Sequence, residues 1–519
     1  MKKLLSVFIV SLLFAAGVMA LEVNEPELQV TGNETIEFIN YTGPHKVIDS
    51  LAAIKGIGSD MGKQIVPEIP STVGNKNKYY VVHAVDANEK GKLDADILFI
   101  GPDATVDHIV NLRRIISAYL SSAYGYSEKD ADTLAVFVTV YNAVYRGKYD
   151  VFESKYKSVV MKNLSNDNCG LSVNYKDWPG KSEIVIPLYD VSGGLSTVDT
   201  SVISDSSVVD SMREDDDRNV ESRKDMVDLK ERESEQASDK AQQSQKKAAE
   251  EQKKLNDSKK EASDAQKKAD NAKKEAEKNP TTENKQKAEE AQKQADEKKE
   301  EVKQQEKKTE EAKEEAKEQQ ALADKKQNEA YDERKEIAKD QQEVQAKEAA
   351  EAKMPSEYGI ILSDEKALLS RLVRFNTDTG EIIKKSPVTH IRNRTIYALG
   401  NEFIAVAGED AGNAAIKLVT IDQVNMEITS ESNETLAPDS VLVRDGNDFY
   451  CVIADGSNWK VGKFDSNLVL KLKSDVNVKS STPITITDSG VVITDSAGKL
   501  KLLNKADLKS ITQDYVDAK

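Results

Sequence analysis

The 519-residue chain has four histidines and two cysteines, and it contains no G-x-S-x-G elbow, no P-loop and no dinucleotide fingerprint. Those motifs carry the usual hydrolytic and nucleotide chemistry, so the sequence offers few candidate bases and no activated nucleophile. The cysteines, Cys169 and Cys451, lie near opposite ends of the chain. A bridge needs Cα atoms within about 6 Å, so buried free thiols are the expectation. Proline is scarce where it would interrupt most: between Met212 and Lys353, Pro280 stands alone. Positive charge is also in deficit, with a formal net charge of −17. Removing an amino-terminal signal with two lysines would make it about −19. Such acidity is a poor match to nucleic acid or to an anionic membrane surface.

What is abundant is Lys, Glu, Gln, Ala and Asp, concentrated in residues 212–353 in stretches such as DSKKEASDAQKKADNAKKEAEK. This composition favours helix but supplies too little apolar surface for a globular core, which predicts a rod. Val220, Val227, Ala241, Ala248, Leu255, Ala262, Ala269 and Ala276 share one seven-residue period, with Ser234 as the polar member. Ala288, Ala295, Val302, Ala316, Ala323, Ala330, Ile337 and Val344 share another, with Thr309 as the exception. The second seam of each heptad is mostly polar, so the coiled coil should be weak. The two periods are out of phase across Asn279-Pro280-Thr281-Thr282. Proline removes a helix donor there and threonine can cap a new start, which puts a break at 279–285. An antiparallel hairpin folded about Thr282 would set Val220 opposite Val344 and Val227 opposite Ile337. The alternative is one long kinked helix held by Glu-to-Lys pairs.

The ends differ from the rod. Lys2 and Lys3 precede the apolar run LLSVFIVSLLFAAG, and Val18-Met19-Ala20 has small-residue cleavage geometry, so residues 1–20 are expected to be a signal peptide; an uncleaved anchor is the other reading. After cleavage no stable membrane span is expected. Residues 21–190 mix the strand-like runs KYYVVHAV, DADILFIG and SEIVIPLY with periodic helices, which predicts an α+β domain. One helix follows Thr105 and buries Val106, Ile109, Val110, Leu112, Ile116 and Tyr119 or Leu120; another starts at Ser127, with Asp130 three residues on. The Ser, Asp and Val mixture of 191–211 reads as a linker. In residues 354–519, strand–turn–strand segments begin near Arg371, Ile416, Trp459 and Leu500. Intervals of roughly 40 to 45 residues suit propeller blades, so a propeller-like all-β domain is expected, with an irregular antiparallel sandwich as the alternative.

Two motifs invite sharper readings. IDSLAAIKGIGSDMGKQI resembles a helix-hairpin-helix, in which the Gly56-Ile57-Gly58 turn would aim amides at a phosphate, assisted by Lys55 and Lys63. Partner or nucleic-acid contact by Lys55, Gly56, Gly58 and Lys63 is weighed against a plain glycine turn between packed helices, and export and net acidity favour the plain turn. Asp86, Asn88, Gly91, Asp94 and Asp96 partly imitate a calcium loop, but Lys90 and Ile97 stand where ligands are required. A solvated turn is expected there. His83 and His108 flank these acids without metal-site spacing.

The segment VDHIVNLRRIISAYLSSAYGYSEKDADTLAVFVTVYNAVYRG, followed by GLSVNYKDWPG and IVIPL, resembles the amino-terminal region of the spirochaetal 83/100 kilodalton antigen family of Borrelia and Treponema. The signal, the Lys/Glu-rich middle and the globular carboxyl end fit that organisation. The resemblance implies an exported immunogenic envelope protein, periplasmic or surface-exposed, with no established enzymatic activity and no catalytic residues to carry over. The expectation is therefore a non-enzymatic structural or binding scaffold. It has no cofactor or metal and takes a protein or envelope partner, with weak self-association through the coil open. An exported hydrolase and helix-hairpin-helix nucleic-acid binding are the alternatives.

Overall fold

The computed structural model describes residues 36–189, 191 and 193–512; the signal segment 1–20 lies outside them. The amino-terminal region is α+β. Its sheet has strands β1 (Ser71–Asn75), β2 (Tyr79–Ala84), β3 (Asp94–Ile100) and β4 (Glu183–Leu188), in that order and all antiparallel. The three runs expected as strands are β2, β3 and β4; β1, short and built on Gly74, was not anticipated. Helices α1 (Leu51–Gly62), α2 (Ile109–Tyr124) and α3 (Glu128–Val144) accompany the sheet. Ser127 caps α3 by accepting from the Asp130 amide, as its spacing predicted. Leu112, Ile116, Tyr119 and Leu120 are fully buried, whereas Val110, expected inside, is 41 % exposed because it follows the cap at the start of α2.

Residues 191–211 are not a bare linker. Thr200–Ile203 and α4 (Ser206–Arg213) are short helices capped by Asp199 and Asp205, and Val198, Ile203 and Val208 are buried in the main core. The rod is two helices, α5 (Val220–Lys278) and α6 (Thr282–Glu351), separated at Asn279-Pro280-Thr281. Thr281 caps α6 through the Asn284 amide. At 59 and 70 residues, the helices are about 90 and 105 Å long. They pack side by side as an antiparallel hairpin: Lys230 meets Glu329, Lys247 meets Glu315 and Glu261 meets Lys298. These pairs centre near Pro280, so the fold point lies slightly before Thr282. Val227 and Ile337 share a cluster with Val220 and Ala330, while Val344 lies outside it. Both polar members of the stripes find partners: Ser234 donates to the Ala323 carbonyl across the seam, and Thr309 donates to those of Glu251 and Gln305.

The carboxyl-terminal region is antiparallel β and falls into four meanders. The first holds β5 (Ser356–Asp364), β6 (Leu369–Asn376) and β7 (Ile382–Lys385); the second β8 (Ile391–Leu399), β9 (Glu402–Ala407), β10 (Lys417–Asp422) and β11 (Ile428–Glu431). The third holds β12 (Val443–Asp445), β13 (Asp448–Asp455), β14 (Asn458–Phe464) and β15 (Leu470–Lys473); the fourth β16 (Ile484–Thr487), β17 (Gly490–Thr494) and β18 (Leu500–Leu503). The first two touch through the pair Ser370 and Ile391 and form one sheet. Alternation along each strand supplies two apolar faces. Phe403 and Ala405 of β9 face the first meander while Ile404 and Val406 pack with Phe449 and Cys451 of β13; Tyr450 and Val452 turn to Val491 and Ile493. The four recurrent segments correspond to the hairpins β6–β7, β10–β11 and β14–β15 and to the strand β18 with its turn. Each turn is built on an Asn or Asp (Asn376, Asp422, Asp465, Asn504) whose side chain accepts amides two to four residues on. Among the described residues, the meanders join in series and no hydrophobic cluster connects the fourth back to the first, so no closed propeller is formed.

Candidate functional site at the base of the hairpin

The segment 38–46 lies between the two ends of the molecule and bonds to both. On one side the Ile39 amide donates to the Val173 carbonyl, the Tyr175 amide to the Ile39 carbonyl and the Tyr41 amide to the Asp107 carbonyl, which ties it to the α+β region. On the other, the Lys46 amide donates to the Asn413 carbonyl at 2.6 Å, the Ala415 amide to the Pro44 carbonyl at 2.9 Å, and the Thr42 hydroxyl to the Pro387 carbonyl at 2.8 Å. Tyr41 is the buried pivot. Its ring lies 4.9 Å from that of His45 and 5.1 Å from that of His390, and its hydroxyl donates to the Pro44 carbonyl.

Two ion pairs flank the pivot. His45 Nε2 lies 2.8 Å from Asp107, and His390 Nε2 lies 2.8 Å from Glu409. The Asp107 hydrogen bond raises the His45 pKa above its ordinary value, and the His390 bond lowers that of Glu409. The strap is thus an adhesive of backbone bonds, aromatic faces and charge pairs between regions more than 300 residues apart.

The hairpin is fixed to the same base by buried charge. Asp340, fully buried, accepts from Arg213, Arg218 and Arg223 at 2.8, 2.6 and 2.7 Å. Burial would push its carboxyl up, but the three guanidiniums outweigh that and hold it well below the usual carboxylate range. About three to four turns outward, Glu233 pairs with Lys326 and accepts from Thr200, while Glu329 pairs with Lys230 and accepts from Ser201. Heptad reading places these positions on the helices but cannot reveal their partners, because Thr200 and Ser201 come from the segment that reads as a linker and Arg213 and Arg218 precede the first position of the apolar stripe at Val220.

The residues singled out by motif are dispersed. Residues 51–62 form one helix, so the glycine turn expected at Gly56-Ile57-Gly58 is absent. Gly58 and Gly62 instead lie against α2, where a Cβ on Gly58 would be 2.0 Å from the Ile115 carbonyl oxygen and one on Gly62 would be 2.7 Å from that of Tyr119. Gly56 faces open space, Lys55 pairs with Glu128, and Lys63 pairs with Asp60 at 3.1 Å. In the acidic loop, Lys157 donates to Asp94 and to the Asp86 carbonyl, so an ammonium occupies the position a cation would take. Asp96 points the other way, into the core, where it accepts from Tyr119, Tyr124 and His83. His83 also donates from Nε2 to the Pro67 carbonyl at 2.6 Å. Burial disfavours a charged imidazole there, but the hydrogen bond and charge of Asp96 together with the Pro67 bond outweigh it and raise the pKa. His108 caps α2. Among the described residues, no group of three or more His, Cys, Asp or Glu side chains could hold a metal, both cysteines are buried and unbridged, and no helix is long and apolar enough to cross a membrane.

The family model described as Borrelia P83/100 protein matches residues 25–484. No curated protein matches the chain. Among solved structures, it is similar to the computationally designed Ika4 protein at 15 % identity, over 26 % of this chain and 83 % of that one, with a TM-score of 0.19.

Proposed function

Because the chain belongs to the Borrelia P83/100 protein family, we propose that it is an exported envelope antigen serving as a non-catalytic scaffold. The observation that carries this reading is the shared base: the strap at 38–46 and the Asp340 cluster hold both globular regions beside the foot of a hairpin whose arms are about 90 to 105 Å long. An arm of that length, with charged residues around its solvent faces, separates whatever meets its tip from whatever meets its base. In this reading the serial β meanders are an open platform at that base that binds through its surface without chemistry. A cleaved signal peptide would deliver the chain to the periplasm or the outer surface, with no stable span left afterwards. Self-association stays weak in this reading, since the better seam of each arm is spent within the hairpin.

The test is crosslinking in the native cell followed by fractionation. The scaffold reading expects the mature chain in the envelope fraction within a larger complex, and expects a variant lacking the distal hairpin to stay in that fraction while losing the complex. A cytoplasmic location, or a chain that remains monomeric in the envelope under crosslinking, would overturn it.

A further inference from the structure

Beside α1 the surface is apolar where a monomer would ordinarily be polar. Val47, Ile48 and Leu51 are 67, 72 and 50 % exposed. They border a pair of adjoining clefts, of about 430 and 230 Å³, that share Asp49, Ile54, Ile57, Tyr79 and Thr105. The larger runs between α1 and the β1–β2 hairpin, and the smaller between α1 and the start of α2, reaching Asn413 of the β region. Contiguous exposed apolar surface joined to a concave wall marks an interaction site.

Charge selects the occupant. Asp49 lies where the clefts join and Asp103 on the wall of the larger, and neither has an ion pair among the described residues. Asp60 adds a third carboxylate, already paired with Lys63, against Lys78 as the one cation in that lining. In the smaller cleft His45 is paired with Asp107, and Arg114, hydrogen-bonded to the Asn111 side chain, is the cation opposite Asp49 and Asp107. Unpaired carboxylates bordering apolar walls disfavour an anionic lipid surface and nucleic acid. They also disfavour the chain's own preceding segment: residues 21–35 hold Glu22, Glu25, Glu27 and Glu34 and no lysine or arginine.

We infer that this groove docks a segment of a partner protein that presents apolar side chains to Ile54 and Ile57 and a lysine or arginine to Asp49 and Asp103. The inference rests on the scaffold reading and gives it one specific docking face, next to the strap. Helix–helix packing makes the face rigid: Gly58 and Gly62 let α1 lie close on α2, which leaves Leu51 exposed and sets Ile54 and Ile57, half-buried at the edge of the core, along the walls of the clefts.

The test uses the full mature chain and three fluorescein-labelled decapeptides, alternating Leu–Lys, Leu–Glu and Ser–Lys, read by fluorescence polarisation. The Leu–Lys peptide is expected to bind and to protect amides within residues 47–61. Ile48→Ser with Leu51→Ser, both at exposed positions that leave the fold intact, should weaken it about tenfold or more, and Asp49→Asn with Asp103→Asn should do the same. Equal binding of the Leu–Glu or Ser–Lys peptide, protection confined to other residues, or indifference to both double variants would overturn the proposal. Groove binding with no envelope complex would instead sink the scaffold reading, and a complex with an unresponsive groove would sink this site alone.

Discussion

A methyl group at Gly58 has nowhere to go. It would sit 2.0 Å from a backbone carbonyl oxygen and 2.8 Å from the Tyr119 amide nitrogen, whereas the same group at Gly56 meets nothing within 4 Å. Gly58→Ala should therefore lower stability by roughly 1–3 kcal/mol through overpacking. Gly56→Ala should raise it by about 0.5–1 kcal/mol through helix propensity. Thermal unfolding of both variants checks the pair; equal shifts would mean that α1 does not pack on α2 as described. Both glycines were visible in the sequence. What they do was not, since a spacing of four between Gly58 and Gly62 is equally compatible with a turn and with a close helix contact. Asp340 illustrates the same limit, because a carboxylate on a helix of carboxylates carries no mark of burial. Its lowered pKa contributes stability that is fully present above the ordinary aspartate value of 3.8 and is lost as pH falls through that value and below. Asp340→Asn removes the carboxylate that the three guanidiniums share, leaving Arg213, Arg218 and Arg223 only Glu336, Glu343 and Glu333, and should cost about 3 kcal/mol at neutral pH. It should also flatten the acid limb of the stability curve, measured by denaturant unfolding at several pH values.

Among the elements, the helical hairpin was the most legible, because a seven-residue apolar stripe constrains which face must be covered, and Pro280 with Thr281 punctuates it. The recurrent hairpins of the β region were legible for a related reason: apolar alternation broken by an Asn or Asp turn at each repeat. Thr200–Ile203 and α4 were not, since two short helices in a Ser-rich segment have no room to show a period, and their stability comes from Asp caps and tertiary burial. The hairpin seam predicts the outcome of two deletions. Removing 255–261 together with 299–305 takes one heptad from each arm about the same centre and should leave a shorter hairpin of unchanged base. Removing only Lys253 and Lys254 rotates everything beyond by about 200° and turns the alanine stripe outward. Amide exchange should then show the distal arms unprotected and the base near Asp340 intact; full protection of the distal arms would show that the stripe does not hold them together.

For the molecule as a whole, proximity of its two ends was only permitted by the hairpin, and the strap that realises it involves Tyr41, His45, His390 and Glu409, scattered residues without a motif. Its ion pairs give it a pH window. The His45 contribution, with Asp107, Asp49 and Glu431 acting on the imidazole, is complete below the ordinary value of 6.5 and is lost as pH rises through the raised one. The Glu409 contribution is complete above 4.5 and is lost as pH falls through the lowered value. Docking should be firmest between those limits. Exchange at the Lys46 and Ala415 amides, taken relative to amides inside α2, should accelerate from pH 6 to pH 8 in the wild type and lose that dependence in His45→Gln. A further consequence concerns cutting. The bend at Asn279-Pro280-Thr281 is exposed and remote from the strap and the Asp340 cluster, and such tips are where proteases act first. A single cut there yields two polypeptides of comparable size that remain one particle, because the amino-terminal piece still holds the carboxyl-terminal one through the strap, the seam and the charge cluster. A denaturing gel would show two bands where gel filtration shows one unshifted peak, so fragmentation of this protein is no measure of its loss.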